Sequence, residues 1–359
     1  KLTFQAYGKE NEAIYSVSRS LLNILIMDLA EKEGVKFVFE KRCQHVNLEH
    51  TIVYLSDLDS DEQFAVQSDM IVGADGVFSL VRGMMQRTNR FNYEQQYIEH
   101  GYKELTIPAG KDNSFQLEKN ALHIWPRGNF MFIALPNLEG SFTGTFFFPF
   151  EGKPSFESVK SEQQVHDFWQ ETFGDVMPLA PDLVKEYFKN PTSSLVNIRC
   201  YPWVQRDNVF LIGDAAHGIV PFYGQGMNAG FEDCAVLDDL LEEFPDDWHQ
   251  LLDVYQQARK PNADAIADLA LENFIEMRDK VADEKFLLRK KIESHLHRTY
   301  PETWIPLYTM ISFHHDISYA EAQYRGKQND AVMSKIMSVQ DIEKKWQSLD
   351  YEEFIKDLR

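Results

Sequence analysis

Cysteine is scarce: Cys43, Cys200 and Cys234 stand far apart in a chain of 359 residues. So few thiols at such spacings build neither a disulfide framework nor a zinc site. A reducing compartment fits, and each thiol is expected to be simply buried. Positive charge is also in deficit, with 36 Lys and Arg against 56 Asp and Glu and a formal net charge of -20. A surface of that sign repels nucleic acid and anionic membranes, while leaving room for a local basic pocket. No apolar run is long enough to span a bilayer. Also missing is a Gly-x-Gly-x-x-Gly turn after an opening strand, the element that seats a pyrophosphate. The nearest cluster, Gly224 to Gly230, has the wrong spacing. The chain opens without Met and in mid-pattern, so it is read as N-terminally incomplete, with its first βαβ unit outside these residues.

What is present reads as globular: 44% hydrophobic residues with charge spread along the chain, enough for two domains or one large one. The pattern is organised around Val209 to Gly230. Four consecutive apolar residues from Val209 suit a buried strand. Gly213-Asp214 follows at its carboxyl end, then a loop with Pro221, Gly224 and Gly226. From Asn228 the pattern turns helical, with Gly230, Cys234, Leu237 and Leu241 on one face. A carboxylate at a strand end can accept ribose hydroxyl hydrogen bonds, glycines let backbone N–H groups come close, and a helix start carries partial positive charge. A tight strand–helix connection without a ligand is the plainer alternative. A second strand-turn-helix runs from Asp69 through Gly73-Ala-Asp75-Gly76 to Arg82, where Arg82 suits a structural ion pair.

Elsewhere, Ser18 is predicted to cap a helix with Leu22, Leu25, Ile26 and Leu29 on one face. Arg19 in its first turn opposes the helix dipole, which is tolerable opposite an anion. Val35 to Phe39 reads as a short strand, and residues 44 to 69 as a hairpin with a charged tip at Asp57 to Glu62. Ala121 to Trp125, Phe130 to Leu135 and Phe142 to Phe150 read as strands, the last two joined by an Asn137-Leu-Glu-Gly140 turn. Phe142, Phe146 and Phe148 fall on one side of their strand, where they line an aromatic pocket or, more plainly, pack a core. Residues 155 to 190 read as helical up to Asn190-Pro-Thr. The chain is helical again beyond Pro261, with Ala263, Ala267, Ala270 and Leu271 on one face. Residues 325 to 359 read as a solvated amphipathic tail around Ile342, Trp346 and Phe354.

These strings together resemble the class A flavin-dependent aromatic hydroxylases. Gly213-Asp214-Ala-Ala-His217, Pro221 and Gly224-Gln-Gly226 are similar to that family's second FAD motif, and Gly73-Ala-Asp75-Gly76 to its shared FAD and NAD(P)H motif. Tyr7-Gly8, His123-Ile-Trp-Pro-Arg127, Ile133-Ala-Leu-Pro-Asn137 and Ile305-Pro-Leu-Tyr308 agree, so the resemblance covers residues 1 to 315. It implies an α/β fold: an FAD-binding, doubly wound, glutathione-reductase-like domain, an inserted and mostly antiparallel substrate sheet, and a C-terminal helical region. The corresponding ranges are 1–83 and 196–245 for the FAD-binding domain, 84–195 for the sheet and 246–359 for the helices.

The resemblance further implies FAD as cofactor, NADPH and O2 as co-substrates, and hydroxylation of L-kynurenine through a flavin C4a-hydroperoxide. Arg19, Cys43, Asp75, Asp214, Gly226, Met227 and Asn228 are the implied cofactor contacts. Pro221, Phe222, Tyr223 and Gly224 wall the reaction pocket; Tyr7, Asn273 and Tyr308 meet the amino-acid end of the substrate. No acid–base residue is required, and His217 is expected to make a structural hydrogen bond. The polar tail departs from the family's membrane-anchored members and suggests a soluble, cytoplasmic, bacterial form; the oligomeric state is open, a homodimer included. Two alternatives stay open: a flavin hydroxylase of a simpler phenol, and a non-catalytic FAD-fold protein that binds a partner.

Overall fold

The computed structural model describes residue 4, residues 12–277 and residues 283–358. The chain forms two compact units, one of Ser16–Arg259 and one of Lys1–Tyr15 with Lys260–Arg359.

The first unit opens with helix α1 (Arg19–Lys32), capped as predicted by Ser18, whose Oγ accepts from the Leu21 amide at 3.4 Å. None of its residues is buried, so its apolar face has no cover among the described residues. The strand expected over Val35 to Phe39 does not form: that stretch pairs with no described strand, and Val38 and Phe39 are exposed. Strands β1 (Lys41–Asn47), β2 (Ile52–Asp57) and β3 (Gln63–Gln67) make an antiparallel meander, three strands where one hairpin was expected. The extra turn is held by Asn47 Oδ1, which accepts from the amides of Glu49 and His50. The charged tip lies at Asp57 to Glu62 as predicted.

Strand β4 (Ile71–Gly73) leads to α2 (Leu80–Met85). Then come β5 (Asn92–Ile107), β6 (His123–Pro126), β7 (Met131–Pro136), β8 (Phe142–Pro149), helices α3 (Glu162–Thr172) and α4 (Leu183–Lys189), and β9 (Ser193–Tyr201). The five strands form one antiparallel sheet in the order β6-β7-β8-β5-β9. Its two long members, β5 and β9, were not predicted. Phe142, Phe146 and Phe148 pack with Phe132 against Trp169 and Phe173 of the α3 region and Tyr187 of α4. This face is therefore core, not an aromatic pocket. Strand alternation turns Phe147 to the other face, where its ring lies 4.9 Å from Phe222.

After β10 (Val204–Gln205), β11 (Val209–Leu211) runs parallel to β4, with Val209 opposite Ile71 and Leu211 opposite Gly73. The antiparallel sheet is thus inserted between two strands that are neighbours in space. Helices α5 (Asp214–His217) and α6 (Gly226–Glu243) follow, then α7 (Trp248–Ile275), which begins in this unit. The buried residues of α6 are Ala229, Asp233 and Leu240, not the expected face of Gly230, Cys234, Leu237 and Leu241. Apolar spacing misplaced that face because a carboxylate holds its centre. Of the three cysteines expected to be buried only Cys200 is; Cys234 is exposed and Cys43 half-buried.

The second unit is helical. Helix α7 runs through Pro261, where a start beyond the proline was expected, and buries Ala263, Ala267 and Ala270 as predicted. It is followed by α8 (Glu284–Thr299), α9 (Leu307–Phe313), α10 (Tyr319–Met337), α11 (Ile342–Lys345) and α12 (Glu352–Ile355). Ile292, Leu296, Trp304, Val332, Ile336, Ile342, Tyr351 and Ile355 share one core, with Trp346 and Phe354 against it. The tail expected to be solvated is a packed part of this unit. Among the described residues no helix is long and apolar enough to cross a membrane.

Candidate active site

Adjacent parallel strands end side by side, so the groups after β4 and β11 come to one edge. That edge is where open α/β sheets bind ligands. Asp75 follows β4 and Asp214 follows β11. Gly213 turns the chain out of β11 with φ 58° and ψ −143°, and a Cβ there would meet nothing within 4 Å. Only glycine adopts such a backbone readily. The turn leaves Asp214 exposed. Crowding by the surrounding protein pushes its carboxyl above the usual carboxylate range, opposed by the charges of His217 and Arg19. Arg19 is thus brought within electrostatic reach of Asp214.

Asp75 is exposed, and its Oδ2 accepts the Leu80 amide at 2.7 Å and the Val81 amide at 3.1 Å. It therefore already fastens the start of α2. Burial raises the Cys43 thiol, and the charge of Asp75 raises it further, which puts this expected cofactor contact beside the Asp75 turn. Arg82, 2% exposed, makes no ion pair among the described residues. Its Nη1 donates to the Ala215 carbonyl at 2.7 Å and its Nη2 to the Val77 carbonyl at 2.5 Å. The ion pair expected of Arg82 is instead a staple between the two turns.

The loop between α5 and α6 folds as a short 3₁₀ turn over Pro221–Tyr223, ended by Gly224 at φ 70°. Pro221 is exposed, while Phe222 and Tyr223 are buried. Helix α6 then starts at Gly226 with no capping side chain and no acidic residue in its first turn. The amides of its first turn, from Gly226 to Asn228, thus carry the helix's partial positive charge with no acidic side chain in that turn. Met227 and Asn228 are exposed, and Asn228 Nδ2 donates to Gln225 Oε1 at 2.9 Å.

Behind this edge lies a buried charge network that apolar periodicity had passed over. Asp233, fully buried, accepts the Gly213 amide at 3.0 Å and His217 Nε2 at 2.5 Å on Oδ2, and Arg259 Nε at 2.7 Å on Oδ1. Arg259 also reaches Glu232 at 2.9 Å and donates to the Ala229 carbonyl. Burial acts to raise the Asp233 carboxyl, but the hydrogen bonds and charges of His217 and Arg259 hold it below the usual range. Burial likewise opposes the Arg259 charge, and the Asp233 and Glu232 carboxylates more than offset this. His217 makes the structural hydrogen bond expected of it. One cue was available in the sequence: an Asp inside an otherwise apolar helical face.

Asn273 and Tyr308 belong to the C-terminal unit. Asn273, half-buried near the end of α7, has Nδ2 3.5 Å from Met277 Sδ. Tyr308 lies in α9, where burial raises its hydroxyl. Tyr7 lies outside the described residues.

An exposed carboxylate at a strand end, open glycine turns and an uncapped helix start fit a cofactor with sugar hydroxyls and a negative group, as FAD has. The FAD binding domain family matches residues 7–270 of the chain. The kynurenine 3-monooxygenase of Flavobacterium johnsoniae is 49% identical over 358 residues, all of this chain and 80% of that protein. That of Dictyostelium discoideum is 45% identical over 94% of this chain and 76% of its own. Among solved structures, the OxyS anhydrotetracycline hydroxylase of Streptomyces rimosus superposes with a TM-score of 0.58 at 20% identity, covering 82% of this chain and 56% of that one. The fold is that of the FAD-binding aromatic hydroxylases. Within that class the chain belongs to the kynurenine 3-monooxygenase family, and it is a flavin-dependent monooxygenase with FAD as cofactor.

Proposed function

We propose that the protein hydroxylates L-kynurenine to 3-hydroxykynurenine, with NADPH and O2 as co-substrates, in the cytoplasm. The observation that carries this is 49% identity over essentially the whole chain to a relative named for that reaction. The open Gly213-Asp214 turn and the uncapped α6 start support this reading. On this reading residues 1–83 and 196–245 form the FAD-binding domain, 84–195 the substrate sheet and 246–359 the helical region.

When bound, FAD would carry the two electrons supplied by NADPH and activate oxygen, chemistry that no side chain provides. Asp214 accepts sugar hydroxyls, with Arg19, Cys43 and Asp75 as further contacts. The first-turn amides at Gly226, Met227 and Asn228 stabilise negative charge at the ring. Phe222 and Tyr223, with Pro221 and Gly224, wall the reaction pocket and exclude water. Asn273 and Tyr308, and Tyr7 by its resemblance, hydrogen-bond the amino-acid end of the substrate. Since burial raises the Tyr308 hydroxyl, it keeps its proton at neutral pH and donates.

The test follows NADPH oxidation by the full-length, FAD-loaded protein with and without L-kynurenine, and identifies the product by mass. Strong stimulation and a product heavier by one oxygen support the proposal. Stimulation yielding only hydrogen peroxide, or no stimulation, overturns the substrate. Asn273→Ala and Tyr308→Phe should each raise KM for kynurenine by about tenfold, the worth of one hydrogen bond of about 1.4 kcal/mol.

A further inference from the structure

A buried carboxylate is costly, and an apolar residue of its size would pack a helix face without that cost. Asp233 occupies such a face of α6, and its three donors come from two other segments: Gly213 and His217 at the two ends of α5, and Arg259 in α7. The Gly213 amide is the one nearest Asp214. Its backbone conformation is one of several open to glycine, and the bond to Asp233 selects it. His217 Nδ1 has no partner among the described residues. Its Nε2 is the ring atom that meets Asp233. The ring is further fixed against Trp203, with centroids 5.2 Å apart. Arg259 balances the charge and ties the same carboxylate to the Ala229 carbonyl, one turn into α6.

We propose that Asp233 is the positioning residue of the flavin grip. Its carboxylate fixes both the direction in which Asp214 leaves β11 and the place of the α6 first turn relative to Asp214. Arg259 supplies the compensating charge, and His217 the second donor that orients the carboxylate. The two halves of the grip thus share one reference point, buried where the cofactor does not touch it. This rests on the reading of Asp214 and the α6 start as cofactor contacts.

The test compares full-length apo-protein variants by thermal melting and by titration with FAD, read as quenching of flavin fluorescence. Asp233→Leu combined with Arg259→Met replaces the charge pair by apolar groups, a change that buried ion pairs often tolerate. The double variant should melt near the wild type yet bind FAD about tenfold or more weakly. Recovery of melting together with FAD affinity within about threefold of wild type would show a merely structural pair and overturn the proposal. A second comparison holds if the double variant does not fold. His217→Ala should weaken FAD binding by about tenfold, and His217→Gln, whose amide nitrogen can donate to Asp233, should restore it. Wild-type affinity in His217→Ala would overturn the proposal. Failure of the wild-type protein itself to bind FAD would be seen separately, and would remove the cofactor reading and this proposal with it.

Discussion

Asp214 leaves the Gly213 turn, Asp233 binds that turn's amide from α6, and the two carboxyls carry opposite pH signs. Crowding raises the Asp214 carboxyl, so its ionised form disfavours the fold above the ordinary carboxylate range, and that cost fades as pH falls through the raised value. Asp214→Asn should therefore raise the melting temperature of the apo-protein at neutral pH, with the gain shrinking on acidification, while FAD affinity drops by about tenfold. Melting curves across pH, set beside flavin titrations, check this; a lower-melting Asn variant at neutral pH contradicts it. The lowered Asp233 carboxyl contributes stability above its unfolded value and loses it only as pH falls below the usual carboxylate range. Asp75 and Asp214 were legible because a strand, a glycine and an acid are contiguous. Asp233 was passed over because its partners His217 and Arg259 lie distant in sequence, and the one local cue, an Asp on an otherwise apolar helical face, does not by itself name them.

At the scale of elements, β8 serves two neighbours through adjacent residues. Phe146 belongs to the core beneath α3, and Phe147 meets Phe222 in the loop between α5 and α6. Phe146→Ala should cost about 3–5 kcal/mol, as emptying an aromatic site in a close-packed core does. Phe147→Ala should cost less stability and shift KM or kcat, because it loosens the wall of the proposed pocket. Melting and steady-state kinetics on both variants separate the two faces, and equal losses in both assays would contradict the division. Strands β6 to β8 were readable from dense aromatic and branched residues and the Asn137-Leu-Glu-Gly140 turn. Strand β5 was missed because its first half, Asn92-Tyr-Glu-Gln-Gln-Tyr97, is polar and owes its order to pairing with distant β9. Val35 to Phe39 failed in the converse way: its composition suits a strand, but a strand needs a neighbour.

The molecule as a whole ends in a packed core where solvated helix was expected. Ile342, Tyr351 and Ile355 complete a cluster begun by Ile292, Leu296 and Trp304. Stopping the chain after Met337 should lower the melting temperature by about 5 °C or more, since it uncovers those side chains. An unchanged melt would mean the tail is only loosely attached. The amphipathic spacing was visible, but a helix that covers a core and one that lies in water share the same pattern when few apolar residues carry it. The pairing of β4 with β11 has a consequence for biosynthesis. When Gly73 leaves the ribosome its partner Leu211 does not yet exist, and at about 5–20 residues per second the wait is on the order of ten seconds. During that interval the inserted antiparallel sheet can assemble on its own hairpins, while β4 stands with an open edge of the kind that invites association between nascent chains. The order of synthesis therefore favours completing the antiparallel sheet before the β4–β11 edge can form.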